Sequence, residues 1–314
     1  MSTQISKKRI PSVRLLPRRL KPGDLVRVLS PASPAGPSVL RDGLAVLRSL
    51  KLRVEVNGLP AKFARGYLAG GDSERAAALN DAFRDPDVRA IFCARGGYGS
   101  ARLLPLLRDD LVAADPKVVF GFSDITGLLA GLFRRCGLVA FHGPVAATFS
   151  GDRAERRRLG ELLFSDRVPV LAGGRTLQPG KADGAVVGGN LSVLCGLLGT
   201  PFFPETEGCI LFLEEVGEPL YKIDRMLTQL RLAGIFDRVA GAALGSWAGC
   251  GPTGDVEDLF RERLNRPDIP VVAGLPAGHG PVNQPFPLGL PAVLDGEKRE
   301  IRFPFPATRP AEDE

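Results

Sequence analysis

The sequence predicts an α/β protein of two domains, in which an N-terminal doubly wound, mostly parallel sheet precedes a smaller β-rich C-terminal domain. From residue 20 to about residue 150, short apolar strands alternate with amphipathic helices, and such alternation requires parallel crossovers. After about residue 150 the strands are separated by irregular loops, and regular alternation is lost. A Gly-, Pro- and Lys-rich stretch, AGGRTLQPGKADGA, lies between the two regions and is typical of a linker.

The first half contains four strand–helix pairs. Apolar, β-branched runs bounded by turn residues predict strands at 24–30, 52–56, 88–94 and 117–121. Apolar residues at helical spacing predict helices at 38–51, 73–84, 101–107 and 125–136. Ser73 is placed to cap the second of these helices.

The second half begins with a charged helix after residue 150. Beyond the linker, an apolar segment at 186–198 precedes strands at 209–213, 240–247 and 270–274, and an amphipathic helix at 222–233. The predicted organisation is a basic disordered extension at 1–19, an α/β nucleophile domain at 20–160, a linker at 161–182, a β-rich domain at 183–307 and a tail at 308–314.

The basic excess of the chain belongs to its N-terminus. The 314 residues carry a formal charge of +6, but residues 1–21 hold seven basic residues and no acidic one. The remainder has 34 basic against 35 acidic residues. One Trp and three Tyr offer few stacking platforms for bases, so we expect no nucleic-acid partner.

Cysteine and histidine usage indicates an intracellular protein without a metal. The five cysteines are widely spaced and contain no Cys-x-x-Cys, which favours buried thiols in the cytoplasm. Neither of the two histidines lies near a cysteine pair, so no metal site is expected. No apolar run approaches the roughly 18 residues of a membrane span. The N-terminus lacks a secretory apolar region; its composition leaves a transit peptide open, and a disordered extension is the plainer interpretation.

Ser123 lies in Gly-Phe-Ser-Asp, between a predicted buried strand and a predicted helix. A serine on such a turn projects its hydroxyl above the sheet edge, close to a helix N-terminus that stabilises negative charge. The motif departs from Gly-x-Ser-x-Gly, because Ile125 stands where the second glycine is usual. The alternative is that Ser123 only caps the following helix.

The segment RGGYG at 95–99 follows the strand at 88–94. Glycines at a strand end allow backbone N–H groups to approach a ligand, as in a phosphate loop or an oxyanion hole. The segment is neither a Walker motif nor Gly-x-Gly-x-x-Gly. A tight turn that needs positive φ explains these glycines equally well.

A histidine base must be His142, in FHGP, or His279, in Ala-Gly-His-Gly. Two acids, Glu214 and Glu215, end an apolar strand, where burying an unpartnered carboxylate is costly. Structural histidines and solvated carboxylates are the alternative interpretation. Because Ser123, Glu214 and His279 each lie at a strand end or in a glycine-rich loop, together they support serine-based acyl transfer.

These segments resemble the LD-carboxypeptidase family of serine peptidases, which includes muramoyltetrapeptide carboxypeptidases and microcin C self-immunity peptidases. The resemblance extends from about residue 20 to residue 305 and leaves out the first 19 residues. The matching stretches, in order, are LKPGDLVRVLSPASP (20–34), ARGGYGSARLLPLL (94–107), FGFSDITGLL (120–129), FHGP (141–144), GGNLSVLCGLLGTPFFP (188–204), LFLEEVGEPLYKIDRMLTQLR (211–231) and GLPAGHGPVNQPFPLG (274–289).

The resemblance implies an N-terminal half like class I glutamine amidotransferases, a homodimer and no cofactor. It implies a triad of Ser123, Glu214 and His279, in which Glu215 is the alternative to Glu214. It also implies an oxyanion hole, whose donors correspond to the backbone N–H groups of Asp124 and Gly97.

A free terminal carboxylate in the substrate needs a cation. Arg95 and Arg225 lie near the motifs, although either arginine can pair instead with an acid such as Asp224 or Glu218. Tyr98 is a further candidate for the lining of the cleft. The sequence leaves these substrate-binding assignments open.

The function that the resemblance implies is hydrolysis of the L,D amide bond between meso-diaminopimelate and the terminal D-alanine of murein tetrapeptides, in peptidoglycan recycling. One alternative is a self-immunity-type peptidase that cleaves aminoacyl- or peptidyl-nucleotide amides, which needs a platform for a nucleobase. Another is a protein that binds muropeptides without cleaving them. A glutaminase is disfavoured, because that chemistry needs a cysteine at position 123.

Overall fold

Two sheets organise the chain in the computed structural model, which describes residues 14–57 and 65–311. One sheet has six strands and the other has eight. Parallel strands dominate the six-stranded sheet, and the second sheet is built from the C-terminal part of the chain. This arrangement confirms the predicted fold class.

The six-stranded sheet follows the predicted strand–helix alternation closely. Its elements in chain order are β1 (Leu25–Leu29), α1 (Pro37–Ser49), β2 (Arg53–Val56), α2 (Asp72–Arg84), β3 (Val88–Cys93), α3 (Asp109–Ala114), β4 (Val118–Gly121), α4 (Thr126–Cys136) and β5 (Ala140–His142). Strands β2, β1, β3, β4 and β5 are parallel neighbours in that order. Strand β4 is buried throughout. The residues that follow it lie at the carboxyl edge of the parallel sheet, where open α/β sheets bind their ligands.

The eight-stranded sheet begins after α5 (Arg153–Phe164). Its strands are β6 (Leu171–Ala172), β7 (Arg175–Gln178), β8 (Lys181–Asn190), β9 (Ile210–Val216), β10 (Gly241–Ala248), β11 (Val271–Ala273), β13 (Pro291–Asp295) and β14 (Glu300–Arg302). Strands β8 to β11 are parallel, and antiparallel strands flank them on both sides. The helices on this part of the chain are α6 (Leu191–Leu197), α7 (Leu220–Leu232), α8 (Ile235–Arg238) and α9 (Thr253–Leu264).

Strand–helix alternation continues in the C-terminal part, so the expectation that it is lost there is wrong. Helix α6 connects β8 to β9, α7 and α8 connect β9 to β10, and α9 connects β10 to β11. The pattern is hard to recognise because α6 has only seven residues and Gly188 and Gly189 lie near the end of β8. Both glycines have positive φ, which sequence patterns of strands do not anticipate.

Two helix predictions also need correction. The segment predicted as a helix at 101–107 is a 3₁₀ helix at Ala101–Leu106, because Pro105 inside it cannot donate a backbone hydrogen bond. Helix α2 starts one residue before Ser73, which therefore does not cap it. Its N-cap is Gly71, whose N–H donates to the side chain of Glu74 at 2.8 Å.

The predicted linker contains regular structure, and described residues of the predicted extension and tail make contacts with the rest of the chain. Residues 161–182 include the end of α5 and strands β6 and β7 of the second sheet. Of the predicted extension, residues 1–13 lie outside the described part, whereas Leu15 bridges to Leu138 and the Arg14 guanidinium donates to the Gly289 carbonyl at 2.6 Å. Of the predicted tail, residues 312–314 lie outside the described part, and the Arg309 N–H donates to the Pro17 carbonyl.

Strand β12 (Phe286–Leu288) carries the C-terminal part back into the first sheet. It pairs antiparallel with β5, and Phe286 lies opposite His142. A second link lies at the start of α4, where Thr126 Oγ1 accepts the backbone N–H of Asn190 at 3.0 Å. Thr126 is fully buried. These contacts fix the position of one sheet relative to the other.

All five cysteines are buried thiols. Burial raises the pKa of Cys195 to about 12 and that of Cys209 to about 11, so both thiols stay protonated at neutral pH. In the described residues, no helix combines the length and the apolar character needed to cross a membrane.

Phe286 tests the importance of β12 for stability. Phe286→Ala removes a fully buried ring from the junction of the two sheets, and we expect it to lower the free energy of unfolding by about 3–5 kcal/mol. Phe305 is 56% exposed, so the matched Phe305→Ala control should stay within about 0.5 kcal/mol of wild type. Urea unfolding of both variants measures the difference, and equal losses would contradict this account.

Candidate active site

Ser123 lies on a strained turn between β4 and α4. Its φ of +64° is in the left-handed region that side chains other than glycine rarely adopt. The serine opens a 3₁₀ turn at Ser123–Ile125, which leads directly into α4. It makes no side-chain capping bond to either helix, so the interpretation of Ser123 as a helix cap does not describe its contacts.

The hydroxyl of Ser123 faces His279. The distance from Ser123 Oγ to His279 Nε2 is 3.1 Å, and His279 Nδ1 lies 2.7 Å from Glu214 Oε2. A carboxylate beside Nδ1 favours the tautomer in which Nδ1 carries the proton, which leaves the Nε2 lone pair directed at the serine. The structure therefore brings together one serine, one histidine and one acid that are far apart in the sequence.

Glu214 and Glu215 make different contacts, although they are adjacent in β9. Glu214 is fully buried, and its Oε2 accepts both the ring Nδ1–H and the backbone N–H of His279. Glu215 points to the other face of the strand. Its carboxylate accepts the Asn190 side-chain amide and the Ser192 N–H, each at 2.8 Å, at the start of α6. By geometry, Glu214 is the partner of His279 and Glu215 stabilises a helix N-terminus.

The loop that carries His279 depends on Gly278. Its φ is +105°, and a Cβ at this position would lie 2.6 Å from Glu214 Oε2. The Gly278 N–H donates to Asn283 Oδ1 at 2.9 Å, which closes the loop. Sequence reasoning missed Asn283, because a single asparagine in a Pro-rich loop gives no distinctive signal.

The glycine turn packs directly against Ser123. A Cβ on Gly96 would lie 2.8 Å from Ser123 Cβ and 3.5 Å from the Asp124 backbone nitrogen. Gly97 has a φ of +97° and packs against Ser33, whose Oγ accepts the Tyr98 N–H at 3.2 Å. The two predicted oxyanion donors, Asp124 and Gly97, therefore belong to segments that touch each other beside the serine.

Buried polar side chains hold this turn in place. The Ser100 N–H donates to Asp124 Oδ2 at 2.8 Å, and the Ser100 hydroxyl donates to the Asp124 carbonyl at 2.5 Å. Arg75, which is 3% exposed, donates to the carbonyls of Pro31 and Gly99. Sequence reasoning missed Ser100 and Arg75, since their importance arises only from the folding of distant loops onto each other.

The predicted substrate-binding residues lie on two different elements. Arg95 and Tyr98 are exposed on the glycine turn, and the Tyr98 ring meets that of Tyr67 edge to face at 5.8 Å. Arg225 is exposed on α7, where its guanidinium lies 5.7 Å from the Tyr221 ring centre.

The two acids that the sequence suggested as alternative partners of these arginines form ion pairs with other residues. Asp224 pairs with Arg263 at 2.6 Å, and Glu218 pairs with Lys222 at 3.0 Å. Neither Arg95 nor Arg225 is therefore taken up by an ion pair with these two acids.

A cavity of about 550 Å³ lies beside His279. The loop from Gly278 to Pro285 forms one side, and residues of α5, among them Arg158, form the other. Burial lowers the pKa of Arg158 to about 10, and its guanidinium donates to the Pro285 carbonyl at 3.3 Å. The volume of the cavity is in the range of small-ligand sites. Within residues 14–57 and 65–311, no group of three or more His, Cys, Asp or Glu side chains is placed to hold a metal ion.

The second histidine, His142, lies beneath the site. It is fully buried, and three aromatic rings surround its imidazole: Phe286 at 5.0 Å, Phe212 at 5.2 Å and Phe122 at 6.0 Å between ring centres. Burial lowers the pKa of His142 to about 4. The imidazole is therefore neutral at physiological pH.

Comparison with known proteins identifies the family. The N-terminal domain of LD-carboxypeptidases matches residues 26–143, and their C-terminal domain matches residues 183–294. The chain is 39% identical over 299 residues to the murein tetrapeptide carboxypeptidase of Pseudomonas aeruginosa, a match that covers 87% of this chain and 94% of that protein.

Comparison with solved structures points to the same family. Muramoyltetrapeptide carboxypeptidase from Oxalobacter formigenes superposes with a TM-score of 0.78 at 28% identity, covering 88% of this chain and 97% of that chain. The microcin C7 self-immunity protein in complex with glutamyl sulfamoyl guanosine superposes with a TM-score of 0.85 at 26% identity, covering 94% and 100%. The chain belongs to the LD-carboxypeptidase family, which confirms the resemblance inferred from the sequence. It is a serine-type carboxypeptidase.

The low pKa of His142 predicts a pH-dependent stability. An unfolded histidine titrates near pH 6.5, so between about pH 6.5 and 4 the unfolded chain binds a proton that the folded protein does not. Stability therefore falls as the pH falls through this window. Between pH 7 and 4, wild type should lose about 3 kcal/mol more than His142→Phe does. Urea unfolding at several pH values tests this, and parallel stability curves would contradict it.

Proposed function

We propose that this enzyme hydrolyses the L,D amide bond between meso-diaminopimelate and the terminal D-alanine of murein tetrapeptides, with Ser123, Glu214 and His279 as its triad. The observation that carries the proposal is the pair of contacts made by His279, 3.1 Å to Ser123 Oγ and 2.7 Å to Glu214 Oε2. The names of the relatives from Pseudomonas aeruginosa and Oxalobacter formigenes support the choice of substrate.

In the acylation step, His279 Nε2 takes the proton of the Ser123 hydroxyl as the oxygen attacks the scissile carbonyl. Glu214, fully buried and bonded to Nδ1–H, orients the ring and stabilises the imidazolium that forms. The tetrahedral intermediate then collapses. His279 returns the proton to the leaving nitrogen, D-alanine departs with a free amine, and Ser123 carries the acyl group as an ester.

The negative charge on the tetrahedral oxygen needs donors that are already in place. The backbone N–H groups of Asp124 and Gly97 are our candidates, because the glycine turn and the serine turn touch at Gly96. Each such donor is typically worth about 3–4 kcal/mol of transition-state stabilisation. The bonds from Ser100 to Asp124 keep the two turns together, so this hole is preorganised.

Deacylation reverses the roles. His279 Nε2 takes a proton from water, the hydroxide oxygen attacks the ester, and the Ser123 oxygen leaves and recovers its proton from His279. The products are a tripeptide that ends in a diaminopimelate carboxylate and free D-alanine, so the overall reaction consumes one water.

The terminal carboxylate of the substrate needs a cation near the serine. Arg95 is exposed at the start of the glycine turn, adjacent to Gly96, which touches Ser123. Arg225 on α7 is the second candidate, and the exposed Tyr98 ring lies beside the same turn as Arg95. We further propose that the enzyme acts as a homodimer in the cytoplasm, on tetrapeptides released during peptidoglycan recycling.

The self-immunity-type alternative needs a stacking surface for a nucleobase. The chain has a single tryptophan, Trp247, which is 5% exposed within β10 and cannot serve as one. Because the self-immunity relative was solved in complex with glutamyl sulfamoyl guanosine, an aminoacyl sulfamoyl nucleoside is the comparison substrate for this alternative.

Release of D-alanine tests the reaction. Wild type incubated with L-Ala-γ-D-Glu-meso-Dap-D-Ala should release D-alanine, detected by mass spectrometry, and Ser123→Ala should lower the rate by at least about 10⁴-fold because the nucleophile is gone. The same peptide ending in L-alanine is the stereochemical control and should not be cleaved.

Other outcomes point elsewhere. Turnover retained by Ser123→Ala would overturn the triad. Binding of the tetrapeptide without cleavage by wild type would favour a muropeptide-binding protein. Cleavage of an aminoacyl sulfamoyl adenosine in place of the tetrapeptide would favour the self-immunity-type activity.

Glu214 and Glu215 form a matched pair of variants. Glu214→Gln removes the carboxylate that stabilises the imidazolium, so kcat should fall by about 10³–10⁴-fold while the fold is kept. Glu215→Gln places an amide against N–H donors and should lower the free energy of unfolding by about 1–3 kcal/mol, with kcat close to wild type. Kinetics and urea unfolding of both variants test the assignment, and the reverse pattern would make Glu215 the acid of the triad.

A further inference from the structure

His142 is a buried polar group for which the proposed reaction has no use. Neither of its ring nitrogens has a hydrogen-bond partner in the described part of the chain. Buried polar groups are almost always satisfied, because an unmade hydrogen bond in an apolar environment is costly. A phenylalanine would suit the surrounding aromatic rings better, so a histidine at this position needs a physical reason.

Glu214 also has a buried polar atom without a hydrogen-bond partner in the described ranges, and this atom is an acceptor. Its Oε2 accepts two bonds from His279, whereas its Oε1 is buried and has no partner among the described residues. A carboxylate oxygen in a fully buried side chain requires a donor. An imidazole N–H is such a donor, and the neutral form of His142 carries one.

The two groups are neighbours in the fold. Phe212 packs against the His142 ring at 5.2 Å and stands two residues before Glu214, so both side chains leave β9 on the same face. Phe122 contacts the rings of both His142 and His279, at 6.0 and 4.7 Å. The charges of Glu214 and His279 both influence the pKa of His142, and within the described residues they are the titratable groups that do so.

We propose that His142 is a positioning residue of the triad, whose neutral imidazole donates through one internal water molecule to Glu214 Oε1. This hydrogen bond holds the glutamate rotamer that meets His279 and disperses part of the carboxylate charge. A water suits the site because polar groups from two strands converge there, and buried waters typically make two to four hydrogen bonds. The inference rests on the proposed role of Glu214 in the triad.

The decisive variant is His142→Phe, which keeps the aromatic packing and removes the donor. We expect it to fold and to lower kcat by at least about tenfold. The acidic limb of its pH–rate profile should move to higher pH, because an uncompensated Glu214 carboxylate holds the imidazolium form of His279 more strongly.

Conservative variants separate positioning from packing. Asn and Gln side chains place an amide N–H near the positions of Nδ1 and Nε2, so His142→Asn or His142→Gln should restore part of the lost kcat. His142→Leu replaces His142→Phe if that variant does not fold. Wild-type kcat and pH profile in the apolar variant, or equal loss in all variants in proportion to lowered Tm, would overturn the proposal.

A measurement without turnover separates failure of this proposal from failure of the proposed function. The chain has two histidines, so ¹⁵N-histidine NMR yields two imidazoles to assign. The N–H signal that disappears in His142→Phe should be present from pH 5 to 9 and shift in Glu214→Gln. An N–H that exchanges freely with solvent, or an N–H whose chemical shift is the same in Glu214→Gln as in wild type, would overturn the hydrogen bond whatever the substrate proves to be.

Discussion

The hydrogen bond between Ser123 and His279 joins two parts of the chain that fold around different sheets. Ser123 follows β4 of the six-stranded sheet, whereas Glu214 and His279 belong to the eight-stranded sheet and its loops. The proposed triad therefore spans both sheets. Because a misplacement of about 1 Å can cost about 10²-fold in rate, the packing between the sheets must be as well defined as the packing within each. The bond from Asn190 to Thr126, three residues after the serine, and the return of β12 to the first sheet meet this requirement.

The chemistry-bearing residues were recognisable in the sequence because the backbone around them is unusual. Positive φ at Gly97 and Gly278, and the close contacts of Gly96 and Gly121, require glycine, and these glycines mark the turns beside the serine and the histidine. A strand that ends on two carboxylates is conspicuous for the same reason, because burial makes such an ending costly. The family and the fold class followed from these segments, and comparison and structure bear out both; the triad itself stays a proposal.

The rest could not be predicted, because it depends on which elements meet in space. Glu214 and Glu215 are identical in type, and only the pleat of β9 sends one to His279 and the other to α6. The three residues of β12 carry no pattern that indicates a partner in the other sheet. The neutral state of His142 likewise reflects a shell of phenylalanines contributed by segments far apart in the sequence.

Strand β12 also bears on how such a chain can diverge. Exchange of the C-terminal half between related genes delivers β12 together with the histidine loop, and this strand must match the β5 edge of a first sheet with which it did not evolve. Recombination near the middle of the gene therefore separates residues that pair across the sheet, Phe286 and His142 among them. Exchange of one half alone therefore has to preserve the pairing of β12 with β5, a constraint that loops on either half do not carry.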